Sequence, residues 1–220
     1  NVTLPHKEAA FALADRCDDA AKAAQAANLL IFHPDDHVEA RNTDTAGLRE
    51  SVRERLGELK GKIVVLLGAG GAARGAILAL NELGAAKVHI LNRHPDRAAI
   101  LAKALKPMVT SVLEAGDLKD WPNMAAGTDL LVNTTSAGMK GHPALALDLA
   151  KLKASAAVLD IVYNPLETAL LKDAKARGHV TIDGLGMLMH QGVPSFEAFF
   201  GVRPKVTDGL RKHLEQSLHA

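Results

Sequence analysis

Two charged side chains in the first part of the chain could carry out acid–base chemistry. Lys7 stands in the first turn of a predicted helix, and Asp44 stands at the start of another. An ammonium group within hydrogen-bond reach of a ketone oxygen can protonate that oxygen during reduction, and a neighbouring carboxylate can hold the ammonium in place. Taken alone, each residue is more simply interpreted as a charged surface position.

A glycine-rich turn between a predicted strand and a predicted helix indicates a dinucleotide site. The apolar run at 63–67 ends at the turn 68–73, and Gly68, Gly70 and Ala73 fit the pattern G-x-G-x-x-G/A. In this pattern the first glycine permits the tight turn, the second lets a pyrophosphate approach the backbone, and the third position packs helix on strand. The free amides at the start of the helix, which favour an anion, belong to Gly71 and Ala72. Redox chemistry is therefore the first hypothesis, and a purely structural turn is the alternative.

The end of the next predicted strand favours a cofactor with a 2′-phosphate. An NAD site usually carries an acidic residue there, whereas this strand is followed by Asn92 and Arg93, with Arg97 four residues further on. Because a guanidinium forms strong, geometrically selective contacts with phosphate, these residues favour NADP over NAD. The alternative is a solvated helix start in which Asp96 neutralises either arginine.

Strands and helices alternate from residue 63 onward, which predicts an α/β fold with a doubly wound parallel sheet, the Rossmann arrangement. The predicted strands are 63–67, 88–91, 109–112, 130–133, 158–161 and 180–182, and the predicted helices are 71–83, 95–105, 167–177, 187–200 and 205–220. Before residue 63 the sequence predicts the end of a strand at 1–4, a helix at 5–16, a strand at 29–32 and a helix that ends at residue 56.

Composition narrows the possible classes of protein. The chain has 220 residues, 48% of them apolar, and a net charge of +1 from 26 basic and 25 acidic side chains. This balance does not suggest a basic face for nucleic acid, and no apolar run reaches the roughly 18 residues that span a bilayer. The single cysteine, Cys17, excludes an internal disulfide and fits a cytoplasmic location. We expect a small-molecule substrate and no metal site.

Eight segments resemble those of the shikimate dehydrogenase family and occur in the family's order. They are NVTLPHK at 1–7, AAN at 26–28, NTD at 42–44, GAGGAARG at 68–75, NRHPDRA at 92–98, NTTSAGM at 133–139, DIVYNPLETALL at 160–171 and DGLGMLMHQG at 183–192. The first, the third and the last are the most specific.

The resemblance implies a reaction and the residues that perform it. The expected reaction is the reversible reduction of 3-dehydroshikimate to shikimate by NADPH, with Lys7 and Asp44 as the catalytic pair. The residues implied in substrate binding are Thr3, Asn28, Asp44, Tyr163 and Gln191. The residues implied in cofactor binding are Gly68, Gly70, Gly71, Ala72, Ala73, Asn92, Arg93, Arg97, Thr134, Thr135, Ser136, Met139, Gly184 and Met187. Asn28 on its own is also compatible with a structural turn.

The resemblance also implies a division of the chain. Residues 1–59 would be the remainder of an incomplete α/β substrate lobe, residues 60–186 the NADP-binding domain, and the helix from residue 187 to 220 would pack partly on the first lobe. About 60 residues of the family pattern, which would cover strand edges of the small lobe, have no counterpart before Asn1. His94 stands where the family commonly has threonine, and Ala26 where it often has glycine. Open alternatives are a quinate/shikimate dehydrogenase of broader specificity and an NADP-binding fragment without efficient turnover. Either a monomer or a homodimer is compatible with the sequence.

Overall fold

Two β-sheets organise the chain, and the computed structural model describes residues 1–219. The strands are β1 (Arg16–Cys17), β2 (Leu29–Phe32), β3 (Val38–Arg41), β4 (Ile63–Leu67), β5 (Lys87–Asn92), β6 (Val112–Asp117), β7 (Leu130–Asn133), β8 (Ala157–Asp160) and β9 (Val180–Ile182). The helices are α1 (Lys7–Leu13), α2 (Asp19–Ala24), α3 (Asp44–Leu56), α4 (Gly71–Glu82), α5 (Pro95–Leu105), α6 (Trp121–Met124), α7 (Ala169–Ala176), α8 (Gly184–Phe200) and α9 (Asp208–His219).

The larger sheet has six parallel strands in the order β6-β5-β4-β7-β8-β9. Its centre is buried on both faces: Val64 and Leu66 of β4 belong to one apolar core, and Val65 and Leu67 to another. The strand order changes direction between β4 and β7, so the connections diverge there and leave a crevice at the carboxyl ends of the strands. The predicted α/β fold with a doubly wound parallel sheet is confirmed.

The smaller sheet has three strands in the order β1-β3-β2, with β1 parallel and β2 antiparallel to β3. Strands β1 and β3 were not predicted, because one has two residues and the other reads Val-Glu-Ala-Arg, with only two apolar positions. Residues 1–4 form no strand within the described chain; instead the Val2 amide donates to the Asn28 carbonyl at 2.7 Å.

The predicted limits of other elements need correction. The helix predicted from residue 187 begins earlier, at Gly184 as α8, and it ends at Phe200, so the stretch expected as one helix from residue 187 onward contains two helices, α8 and α9. The predicted helix 5–16 is shorter and is observed as α1. The predicted strand 109–112 is wrong, because the Asn81 side chain accepts hydrogen bonds from the amides of Thr110 and Ser111 and holds them in a loop before β6. The predicted final helix 205–220 begins later, at Asp208, and its residue 220 lies outside the described part of the chain.

Helix α3 lies in close contact with both α4 and α8. A Cβ on Gly47 of α3 would lie 2.7 Å from the Gln191 Cβ and 2.8 Å from the Met187 carbonyl oxygen of α8. On the other side of α3, a Cβ on Gly75 of α4 would lie 3.2 Å from the Asp44 Cβ. The helix that begins at Asp44 is therefore held between the glycine-turn helix and α8. No helix within residues 1–219 is long and apolar enough to span a membrane.

Replacing Gly47 with alanine should lower the free energy of unfolding by about 1–3 kcal/mol, because the added methyl group forces α3 and α8 apart. Gly192→Ala is the matched control. Gly192 is likewise inside a helix, α8, but a Cβ there meets no atom within 4 Å among the described residues. The control should gain about 0.5–1 kcal/mol from the lower backbone entropy of alanine in a helix. Urea denaturation measures both values, and equal changes in the two variants would contradict the close α3–α8 contact.

Candidate functional site

An ion pair joins the starts of α1 and α3. The Lys7 ammonium donates to the Asp44 carboxylate, and both side chains are largely buried. Asn42 supports this arrangement by accepting a hydrogen bond from the Asp44 amide at 3.0 Å, which satisfies a free amide at the start of α3. The carboxylate also gains from its place at a helix N-terminus. The structure thus brings the two predicted catalytic residues together.

Asn28 orients the carboxylate of this pair. Its amide nitrogen donates to Asp44 Oδ1 at 3.0 Å and to Thr43 Oγ1 at 2.8 Å, and its oxygen accepts from the Thr43 amide at 2.7 Å. The side chain is only 3% exposed. Asn28 therefore has a structural role in addition to any contact with a substrate hydroxyl. A simple turn position would not explain its hydrogen bonds to Asp44 and Thr43.

Helix α8 contributes Gln191 to the same group of polar side chains. Gln191 Oε1 lies 3.2 Å from both the Asn28 amide nitrogen and the Thr43 hydroxyl, and its Nε2 donates to the Leu188 carbonyl at 3.1 Å. Ser195, one turn further along α8, lies 3.3 Å from the same Thr43 hydroxyl. Sequence reasoning missed Thr43 and Ser195, although Thr43 lies inside the NTD segment.

The glycine turn lies directly beside the ion pair. A Cβ on Gly71, the first residue of α4, would lie 2.9 Å from the Lys7 Cβ. Gly68 has a φ of +111°, and a Cβ there would lie 2.8 Å from the Thr134 hydroxyl oxygen. A Cβ on Gly70 would meet no atom within 4 Å in the described chain, which leaves room for a phosphate group. Ala72 and Ala73 continue the first turn of α4. The Lys7 side chain therefore packs against the first residue of α4, beside the glycine turn.

The loop that follows β7 is fixed by its own side chains. Thr134 donates to the Leu67 carbonyl at 2.7 Å, at the point where β4 enters the glycine turn. Thr135 donates to Asn133 Oδ1 at 2.7 Å, and the Met139 amide donates to the Ser136 carbonyl at 3.2 Å. These contacts hold the predicted nicotinamide-side residues next to the glycine turn.

A buried carboxylate that sequence reasoning missed lies behind this loop. Asp160, at the end of β8, is fully buried and accepts from Asn133 Nδ2 at 2.9 Å, from the Val162 amide at 3.1 Å and from the Thr168 hydroxyl at 2.7 Å. Burial raises the pKa of the Asp160 carboxyl, and these three hydrogen bonds oppose that rise. The sequence feature that could have indicated Asp160 is an acidic residue at the end of an otherwise apolar strand.

The structure places the two predicted phosphate-binding arginines in different pockets. Arg93 lines a pocket of about 380 Å³ at the ends of β5 and β6, together with Lys119 and Trp121. Arg97 lines a smaller pocket of about 100 Å³ that includes Ala69 of the glycine turn. Asn92, the last residue of β5, donates to the His94 carbonyl at 3.0 Å.

Four other predicted residues lie at the edges of this region. Thr3 and Tyr163 are exposed, so neither is fixed by packing. Gly184, the first residue of α8, lies so close to the segment that follows β8 that a Cβ would lie 2.2 Å from the Ile161 carbonyl oxygen. Met187 is buried in the core beneath α8. Packing alone accounts for the residue types at Gly184 and Met187, and their contact with a cofactor stays a prediction.

Arg74, which was not predicted as a site residue, extends from α4 toward α1 and α2. The sequence feature that could have indicated it is its place in the GAGGAARG segment. Within residues 1–219, no cluster of His, Cys, Asp and Glu side chains has the arrangement of a metal site.

Comparison with known proteins gives consistent matches. The profile of the Shikimate / quinate 5-dehydrogenase family matches residues 50–142. A shikimate dehydrogenase (NADP(+)) of Methylobacterium radiotolerans is 51% identical over 222 residues, which cover 99% of this chain and 77% of that protein. A second, from Paramagnetospirillum magneticum, is 47% identical over 216 residues, with 96% of this chain and 76% of that protein covered. The chain thus spans about three quarters of the length of these relatives.

Solved structures agree with the sequence matches. Shikimate 5-dehydrogenase from Thermus thermophilus, in complex with NADP(H) and shikimate, superimposes with a TM-score of 0.80 at 34% identity and covers 100% of this chain and 77% of that one. Quinate dehydrogenase from Corynebacterium glutamicum, in complex with NAD, gives a TM-score of 0.87 at 33% identity, covering 97% and 76%. Since half of its residues are identical to those of a shikimate dehydrogenase along nearly its whole length, the chain belongs to the shikimate dehydrogenase family.

Proposed function

We propose that this chain catalyses the NADP-dependent, reversible reduction of 3-dehydroshikimate to shikimate. The observation that carries the proposal is the Lys7–Asp44 ion pair beside Gly71, because it places a proton donor against a dinucleotide turn. The two relatives described above are named NADP(+) shikimate dehydrogenases, and the Thermus thermophilus structure holds NADP(H) together with shikimate. These names agree with the chemistry that the crevice supports.

Lys7 has the role of general acid in ketone reduction. Its ammonium donates a proton to the ketone oxygen as negative charge develops there, and in the reverse direction the amine accepts the proton of the hydroxyl group. Asp44 holds the ammonium in position, and Asn28 orients Asp44 through the 3.0 Å hydrogen bond. Placing the proton donor before reaction lowers the barrier, because it removes the entropy cost of bringing the groups together.

Substrate hydroxyl groups would be bound by neutral polar side chains. Asn28 donates to Asp44 at 3.0 Å, and Gln191 of α8 accepts from the same Asn28 amide at 3.2 Å. We infer that a substrate hydroxyl group would take the place of the contact between Asn28 and Gln191. Thr3 and Tyr163 are exposed and free to approach a ring bound over the ion pair. A site of this kind rejects analogues that lack the hydroxyl groups, since its polar groups are then left without partners.

The residues around the glycine turn fit NADP. The space above Gly70 and the free amides at the start of α4 suit a pyrophosphate, and exposed Arg93 and Arg97 suit a 2′-phosphate. When bound, the reduced cofactor supplies the hydride that reaches the ketone carbon. The loop after β7, with Thr134, Thr135, Ser136 and Met139, would line the nicotinamide side, with Gly184 and Met187 across from it.

A broader quinate/shikimate dehydrogenase is the second candidate, because the Corynebacterium glutamicum neighbour is a quinate dehydrogenase in complex with NAD. Arg93, with no acidic residue at the end of β5, favours NADP over NAD. A fragment that binds NADP without efficient turnover is the third candidate. The chain would form two lobes, residues 1–59 and 60–186, joined near Gly61, and α8 would pack on the first lobe. We also propose a cytoplasmic location, and that the protein is a monomer or a homodimer.

The test measures kcat/KM of the natural protein with shikimate and quinate, each with NADP and NAD. We expect shikimate with NADP to give the highest value. A preference for quinate with NAD would favour the second candidate. Binding of NADP without turnover of either acid would favour the third and contradict the proposed activity.

A further inference from the structure

Arg74 carries a buried charge that its neighbours only partly satisfy. The residue is 9% exposed and lies in the second turn of α4, just after the glycine turn. Its Nη1 donates to the Ala24 carbonyl and to Gln25 Oε1, both at 3.3 Å, and its Nη2 lies 3.4 Å from Glu8 Oε2. Its Nε has no hydrogen-bond partner among the described residues. All three contacts exceed the usual length of such bonds, so the guanidinium keeps capacity for a better acceptor.

The guanidinium lines a small pocket beside the glycine turn. The pocket measures about 100 Å³ and is formed by Glu8, Ala69, Arg74, Arg97, Ile100 and Leu101. Two of these residues are cationic and one is anionic, so the pocket has a net positive charge in the free protein. Buried cations with incomplete partners attract an anion strongly, because the surrounding low dielectric weakens their charge less than water does.

Glu8 is a weak partner for Arg74. Its side chain is 51% exposed, and the contact spans 3.4 Å. A half-exposed carboxylate this far from its partner contributes little to stability. A doubly charged phosphate with three acceptor oxygens would form shorter, charge-assisted hydrogen bonds with the same guanidinium.

We propose that Arg74 is a further binding residue for the 2′-phosphate of NADP. In the free protein the Glu8 carboxylate occupies the position of that phosphate, and the cofactor displaces the carboxylate when it binds. This rests on the proposed function, because the ligand is the cofactor of that reaction. Arg97, which the family pattern assigns to the cofactor, lines the same pocket. Glu8 follows Lys7 directly in α1, so its release takes place on the helix that carries the catalytic lysine.

The experiment measures the dissociation constants of NADP and NAD for the natural protein and two variants. Arg74→Met, which keeps the unbranched stem of the side chain and removes the guanidinium, should raise the Kd of NADP about 10-fold or more and that of NAD less than about 3-fold. Glu8→Gln should lower the Kd of NADP about 2-fold to 5-fold, because it removes a competing charge. Arg49→Met and Glu82→Gln are matched controls, since these residues form another ion pair between helices, and neither control should change either Kd.

Opposite effects of the two variants on NADP support the proposal. Equal losses of NADP and NAD in Arg74→Met, or an unchanged or higher Kd of NADP in Glu8→Gln, would overturn it. Glu8 is half exposed, so its variant should remain folded even if Arg74→Met does not. Failure of the natural protein to bind NADP at all would instead reject the proposed function.

Discussion

Replacing Lys7 with methionine is expected to lower kcat by about 10²–10⁴-fold, the usual contribution of a positioned general acid. The Lys7 ammonium pairs with Asp44 and its stem packs against Gly71, so its removal takes away a proton donor beside the glycine turn. Because methionine has a similar volume, KM for NADP should change little. Steady-state kinetics with shikimate and NADP measure both constants.

The control for this variant is Lys22→Met. Lys22 is an exposed lysine of α2 whose nearest carboxylate is Asp19 at 3.7 Å, and its replacement should leave kcat unchanged. Lys7→Met leaves the buried Asp44 carboxylate without its cationic partner, so this variant could also be less stable. Thermal unfolding of both variants therefore distinguishes a loss of catalysis from a loss of folded protein. A folded Lys7→Met protein with the kcat of the natural protein would reject the role of the lysine.

Arg93→Ala is expected to lower kcat/KM for NADP by about 10-fold to 100-fold and that for NAD by less than about 3-fold. Arg93 is exposed at the end of β5, where the usual acid of an NAD site is absent. Loss of its guanidinium should remove charge-assisted hydrogen bonds that only a 2′-phosphate can make. The measurement compares the two cofactors at a saturating concentration of shikimate.

Lys103→Ala serves as the control for this second change, because Lys103 is an exposed cation in the last turn of α5, the helix that follows Arg93. It reports any general effect of positive charge on cofactor affinity, which salt would also screen. Equal losses with NADP and NAD in Arg93→Ala would show that the arginine does not distinguish the phosphate.

The parts of the fold that could be predicted are those with strong local signals. The limits of β4 and β7 were predicted correctly because each is a continuous apolar run next to turn residues. The limits of α5 were predicted correctly because Pro95 begins it and its apolar spacing is regular. Strands β1 and β3 could not be predicted, since pairing with neighbours and not composition forms such short strands.

The candidate site divides in the same way. Lys7, Asp44 and the glycine turn were indicated by motifs, and the structure adds the contacts between them. Asn28 and Gln191 are 163 positions apart, so no local pattern could predict their 3.2 Å contact. Arg74 and Asp160 were missed because their importance lies in burial and in the partners that tertiary packing supplies.

The central claim is that Lys7 donates a proton to the ketone oxygen on the carbon that receives the hydride. A crystal structure of the natural protein with NADP and shikimate tests it most directly. We predict that Lys7 Nζ lies about 2.6–3.2 Å from the hydroxyl oxygen on the carbon that is oxidised, with the nicotinamide ring about 3–3.5 Å from that carbon. A ternary complex in which another side chain contacts that oxygen and Lys7 points away from it would contradict the claim.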